Sequence, residues 1–173
     1  DILVENGKII KIEENIEVTA DTEVVDADGK EIYPGFVEAH GHIGLDGYGI
    51  GYEGMDYNEM NDIVSPQLRG IDGVKAMDPA FAKAAEAGVT CVCVGPGSAN
   101  VLGGTFTTIK TVGKRVDDMV VRDAVAMKCA FGENPKRCYG QSGKKSPMTR
   151  MATAALLREL LFKTRRYMEN QQG

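Results

Sequence analysis

The chain has two histidines, and only Gly41 separates them: His40 and His42. The run Ile32-Tyr33-Pro34-Gly35-Phe36-Val37-Glu38-Ala39 leads into the pair, and Gly44 follows it. On a β-strand, residues i and i+2 leave the same face, so the two imidazoles sit side by side and can bind one cation. Gly41 leaves room for close approach. A bare His-x-His is more often a hydrogen-bonded loop pair. Here, however, a hydrophobic strand delivers the pair to a strand's carboxyl end, the face on which barrel proteins bind ligands. The other groups carry less. Cys91 and Cys93 alternate with valines as strand-core thiols do, and Cys129 and Cys138 complete no disulfide or zinc-finger spacing. The acids between Asp46 and Asp62, and Asp117-Asp118, read as solvated surface and are assigned no site.

The elements that must position these residues form two groups. Ile2-Leu3-Val4, Lys8-Ile9-Ile10-Lys11-Ile12 and Glu23-Val24-Val25-Asp26 are β-prone runs separated by turn residues, which predicts a small antiparallel unit over 1–30. So few strands cannot hide a hydrophobic face unaided, so further strands must complete that sheet. From Glu31 the pattern changes. A strand runs over Ile32 to His40, a long glycine- and acid-rich loop covers Asp46 to Gly73, and Asp78-Pro79 opens a helix that Gly88 stops. Val89–Val94 follows as a second apolar strand, so a βαβ unit and a parallel sheet are expected. After the β-rich stretch Thr105 to Val112, a third strand spans Ala124 to Phe131. Ser146-Pro147 is expected to open a last helix, with Leu156, Leu157, Leu160, Leu161 and Tyr167 along one stripe and Lys163, Arg165 and Arg166 near its end. The loop from Gly95 to Thr105 could shape a pocket or offer N–H groups to an anion; glycine clusters more often mark plain turns.

Composition narrows the function. The chain of 173 residues has 43% hydrophobic and 26% charged residues, as an ordinary globular chain does. Its net charge of −5 includes no basic stripe, so nucleic acid is not an expected partner. No run of about 18 apolar residues occurs, so no membrane partner is expected either. Without a basic, then apolar, leader at Asp1 to Lys8, a cytoplasmic location is expected.

Pro34-Gly35-Phe36-Val37-Glu38-Ala39-His40-Gly41-His42 resembles the strand-one signature of the amidohydrolase superfamily of metal-dependent hydrolases. The opening β unit, with Asn6-Gly7-Lys8-Ile9 and Asp26-Ala27-Asp28-Gly29-Lys30, is similar to part of the small β-sandwich those enzymes carry. Ala84-Ala85-Glu86-Ala87-Gly88-Val89-Thr90 resembles the helix-to-strand step of the imidazolonepropionase-like branch. The resemblance implies an α/β fold: the first three βα steps of a (β/α)8 barrel over 31–173, preceded by part of a small β-sandwich over 1–30. A closed barrel takes about 250 residues, so the chain is expected to be truncated at both ends.

The resemblance also implies one or two divalent metals, zinc foremost, and hydrolysis of a C–N bond, in a cyclic amide or related compound, by metal-activated water. His40 and His42 would be ligands. For a further ligand there are two candidates. Glu133, in a Glu-x-Pro context, resembles a glutamate ligand of one branch, and Lys128 resembles the carboxylated lysine of others. They lie five residues apart, about 16 Å along a strand at ~3.3 Å per residue, so both cannot occupy one layer. Glu133 is preferred because barrel ligands lie at strand ends; its alternative role is an ion pair with Lys136 or Arg137. The aspartate base of the superfamily falls outside the chain, so by itself the chain is expected to be inactive. Its partners would be a small-molecule substrate and, through exposed barrel edges, copies of itself. A non-catalytic metal-binding or interaction fragment is the alternative.

Overall fold

A computed structural model describes residues 1–49, 51–143 and 145–171. It divides into two units, Asp1–Pro34 and Gly35–Gly173. In the first, β1 (Ile2–Glu5) and β2 (Lys8–Ile12) pair antiparallel with Glu5 opposite Lys8. Asn6 and Gly7 turn the chain with φ of 51° and 73°, the left-handed pair of a two-residue hairpin, which asparagine and glycine adopt with least strain. The third expected strand does not form. Residues 23–26 are irregular and Val24 and Val25 are exposed, because a β-prone run becomes a strand only where a neighbouring edge takes its N–H and C=O groups.

The second unit is built on a four-stranded sheet in the order β3 (Phe36–Gly41), β4 (Val89–Val94), β5 (Leu102–Lys110), β6 (Val120–Cys129). Between β3 and β4 lie a 3-10 turn (Gly51–Gly54), the short α1 (Gly70–Gly73) and α2 (Pro79–Glu86). As expected, Asp78 caps α2, its Oδ1 accepting the Ala80 N–H at 2.8 Å, and Gly88 leaves the helix with φ of 84°. β3 and β4 pair in parallel across this crossover.

The next step departs from a run of parallel strands. β5 is antiparallel to both β4 and β6, so β3, β4 and β6 point one way and β5 is reversed. The reason is length. The connection from Gly95 to Val101 is shorter than the dozen or so residues that a parallel crossover takes, so the chain can only fold back. The result is a mixed α/β sheet. Its core lies on one face, where Phe81 of α2 packs on Val92 and Val94, with Ile109 and with Met119 of α3 (Val116–Met119).

The last helix, α5 (Arg150–Gln171), starts later than expected: Thr149, not Ser146, supplies the cap, its Oγ1 accepting the Ala152 N–H at 3.1 Å. Of its residues only Thr153 is buried; Leu161 and Tyr167 on the expected stripe are exposed, and Lys163–Glu159 and Arg165–Glu169 pairs run along its surface. Among the described residues no helix is long and apolar enough to cross a membrane.

β6 carries a bulge that sets how its end is presented. Phe106 pairs with Ala126 and Thr108 with Arg122, so Asp123, Ala124 and Val125 all lie opposite Thr107. Ala124 takes up the slack with φ of 50°, a left-handed conformation unusual for alanine. Asp123 pins the bulge: its carboxylate accepts from Thr107 Oγ1, from the Ala124 N–H at 2.8 Å and from Arg69 at 3.0 Å. The Thr107 hydroxyl first, then the Ala124 amide and Arg69, hold this carboxyl below the usual aspartate range against a partial penalty from burial.

A carboxyl with a lowered folded pKa stabilises fully above the ordinary aspartate value and loses that contribution as pH falls through the folded one. Asp123→Asn should therefore lower unfolding free energy by about 1–2 kcal/mol at neutral pH. The gap from the unaltered chain should close as pH drops below about 4. Urea unfolding across a pH series reads this directly; a gap that stays constant with pH would show that the charge does not hold the bulge.

Candidate metal centre

β3 is an edge strand, and His40 stands one residue before its end, with His42 just beyond it. Their ring centroids are 5.3 Å apart, the planes at 79°. The side-by-side placement expected of i and i+2 is realised. His42 Nδ1 lies 2.8 Å from the Gly95 carbonyl oxygen. A carbonyl can only accept, so Nδ1 carries a proton, and in the neutral ring Nε2 is the nitrogen with the free lone pair. Phe106 of β5 lies against both histidines, at 5.4 Å from His40 and 6.4 Å from His42 by centroids. Tyr57 stacks on His42 at 5.7 Å and 27°.

Lys128 arrives from the opposite edge of the sheet. It is the last residue but one of β6, and its Nζ lies 3.3 Å from His40 Nε2 and 5.7 Å from the centre of the Phe106 ring. Burial pushes the Lys128 ammonium below the usual lysine range. Burial first, then the charges of Lys128 and His42, lowers His40, with Glu38 opposing them.

Glu133 is placed elsewhere. It opens α4 (Glu133–Pro135), its side chain is 79% exposed, and both its oxygens accept from Lys136 Nζ, at 3.0 and 2.9 Å. Among the described residues no three His, Cys, Asp or Glu side chains converge. The structure thus brings Lys128 to His40 and leaves Glu133 in the ion pair that was its alternative role. The strand boundary explains this. β6 ends at Cys129 rather than Phe131, so the strand-end position belongs to Lys128, and the chain has already entered a helical turn at Glu133.

The glycine-rich loop after β4 turns its amides inward. Gly95 N–H donates to Gly41 O at 3.3 Å, Gly97 to Tyr57 O at 2.6 Å, Ala99 to Asn58 Oδ1 at 3.0 Å and Val101 to Ile63 O at 3.0 Å. These four groups are spent on the neighbouring loop and are not aimed at an anion. A Cβ on Gly95 would lie 2.5 Å from Phe106 Cγ, so only glycine lets this backbone rest on the ring while its carbonyl receives His42. Asn100 and Tyr139 fasten the same region from below. Asn100 Nδ2 donates to Asp62 O at 2.7 Å and contacts Tyr139 Oη at 3.0 Å, and Tyr139 donates to Glu59 O at 2.6 Å. Burial, then the nearby Glu59 and Asp62 charges, pushes the Tyr139 phenol up to about 12, so it stays a donor. Sequence reasoning missed Phe106, Tyr57, Asn100 and Tyr139. Phe106 was the one aromatic in a threonine-rich strand and could have been suspected; the others sit in segments without periodicity.

The donor set suits a divalent cation in its imidazoles. Metal-bound histidines are neutral, and one whose other nitrogen donates to a backbone carbonyl is held in the tautomer that ligation needs. His42 meets that condition, and the lowered His40 favours the neutral ring. A charged Lys128 would oppose a cation, so it can join as a ligand only after losing its proton, as a neutral amine or an N-carboxylate.

No family model matches the chain. It is 36% identical over 166 residues to amidohydrolase tasK of Hapsidospora irregularis, covering 87% of this chain and 17% of that protein. A dihydroorotase of Sulfurihydrogenibium sp. (strain YO3AOP1) is 55% identical over 43 residues, 25% of this chain and 10% of that one. The crystal structure of an amidohydrolase from Thermotoga maritima MSB8 matches with a TM-score of 0.92 and 46% identity, over 99% of this chain and 44% of that chain. The chain spans less than half the length of each of these proteins. The mixed α/β fold of this chain is thus shared with the Thermotoga structure. The chain belongs to the amidohydrolase superfamily and corresponds to an N-terminal portion of such a protein.

Gly95→Ala should destabilise the second unit by about 1–3 kcal/mol, the usual cost of forcing extra volume into a packed site. Urea unfolding checks it, and a variant as stable as the original would mean that Phe106 has space to retreat.

Proposed function

We propose that this chain supplies the first metal-binding strand ends of a hydrolase that cleaves C–N bonds in cyclic amides or related small molecules. The observation that carries the reading is the convergence of His40, His42 and Lys128 over Phe106, at the carboxyl ends of strands that point the same way. The names of the relatives, amidohydrolase and dihydroorotase, support the reaction class. In this reading the second unit is the beginning of a (β/α)8 barrel and the first unit part of a β-sandwich.

His42 would bind one or two divalent ions, zinc foremost, through Nε2, and His40 would bind through its ring beside it. Lys128 would complete the set. Burial that favours its free amine also favours addition of that amine to carbon dioxide, which releases one proton and leaves a carboxylate-bearing nitrogen. When bound, the metal supplies Lewis-acid activation of water and of the scissile carbonyl. Phe106 closes the floor of the site and keeps bulk water from one side of the histidines. A proton-relaying aspartate, which the resemblance implies, is not among the residues that converge here, so metal binding rather than turnover is what these residues would supply. Phe36 and Val37, exposed on the edge strand at 61% and 64%, are where further strands or a second copy would pair.

Elemental analysis of the purified chain tests the reading. Stoichiometric zinc or a similar metal is expected in the unaltered chain and none in the His40→Ala, His42→Ala double variant. Lys128→Met should weaken binding by at least about 10-fold, the loss that removal of even an outer partner causes. Equal metal in the chain and the double variant, or none in the unaltered chain, would overturn the assignment.

A further inference from the structure

We infer that Tyr57 is a positioning residue for His42, holding the imidazole so that Nε2 remains the free nitrogen; this rests on the metal-binding reading above. Two restraints act on that ring. The Gly95 carbonyl takes Nδ1 at 2.8 Å along one edge, and Tyr57 covers a face at 5.7 Å and 27°. A half-turn of the imidazole about Cβ–Cγ would put Cδ2 where Nδ1 stands and break the edge contact. The stacked ring confines the plane in which the edge contact is made.

Tyr57 can do this because its own backbone is clamped independently of the histidine. Its carbonyl accepts the Gly97 N–H at 2.6 Å, and the next residue, Asn58, accepts the Ala99 N–H through Oδ1 at 3.0 Å. A Cβ on Gly97 would lie 2.4 Å from Tyr57 Cδ2, so the loops close this tightly only because position 97 has no side chain. Two residues further on, the Glu59 carbonyl accepts from Tyr139 Oη and Asn100 Nδ2. The segment is therefore a strap tied to the loop after β4, and Tyr57 is the side chain it presents to the candidate metal ligand. Nothing in this role needs the phenol oxygen. The aromatic face is what is used.

The chain has two histidines, so their ring protons can be assigned in one step with His40→Ala. In the metal-free chain the His42 ring protons should resonate upfield, shielded by the Tyr57 ring. They should stay there in Tyr57→Phe and move downfield in Tyr57→Ala and Tyr57→Leu, the latter keeping apolar bulk should the alanine variant fail to fold. Zinc affinity, measured by chelator competition, should match the original in Tyr57→Phe and fall about 10-fold in the other two. Unchanged zinc affinity in a folded Tyr57→Ala or Tyr57→Leu overturns the positioning role alone. An unaltered chain that binds no zinc overturns the metal reading, and this inference falls with it.

Discussion

The site depends on one close contact, the Gly95 backbone lying on the face of Phe106. At that point β4 has ended, the chain must reverse into β5, and the reversal has to pass over a large aromatic ring. Any side chain at position 95 would collide with the ring, as the 2.5 Å approach of a Cβ to Phe106 Cγ shows. Because the backbone can sit there, its carbonyl faces the histidines and takes the His42 proton, while the ring beneath forms a floor for His40, His42 and Lys128. A short reversal, an aromatic floor and an oriented imidazole are three results of the same packing.

The reversal also explains the topology. A short loop after β4 forces an antiparallel β5, and β6 then returns in the direction of β3 and β4. Lys128 and His40 therefore come from opposite edges of the sheet and still present their tips at the same end. The bulge at Asp123 to Val125 is part of that arrangement, since two extra residues in β6 shift which side chains reach the strand's carboxyl end in register with Phe106. Asp123 keeps the bulge closed by bonding Thr107 across the ladder and Arg69 from the long β3-to-α2 segment.

Charge gives the cluster its character. Two imidazoles and an amine meet, and the Glu38 charge beside His40 offsets only part of their mutual repulsion and of the cost of burial. The structure answers by holding His40 and Lys128 towards their neutral forms. Glu133, outside this nitrogen cluster and paired with Lys136, does not supply a counter-charge.

Much of the local structure was legible because it obeys local rules. The α2 helix follows from Asp78-Pro79 and Gly88, the hairpin from Asn6-Gly7, β4 from an apolar run bounded by glycines, and the His-x-His pair from strand periodicity and its resemblance to a known signature. What the sequence by itself determined were these short-range features, since each is decided by a few adjacent residues and their backbone preferences. What only the tertiary structure decided was the strand-end residue of β6, the direction of β5, the failure of residues 23–26 to form a strand, and the meeting of Lys128 with His40 and of Tyr57 with His42. Lys128 and His40 lie 88 positions apart in the chain. Such contacts depend on bulges, loop lengths and ring packing summed over the whole sheet, and no local window contains that sum.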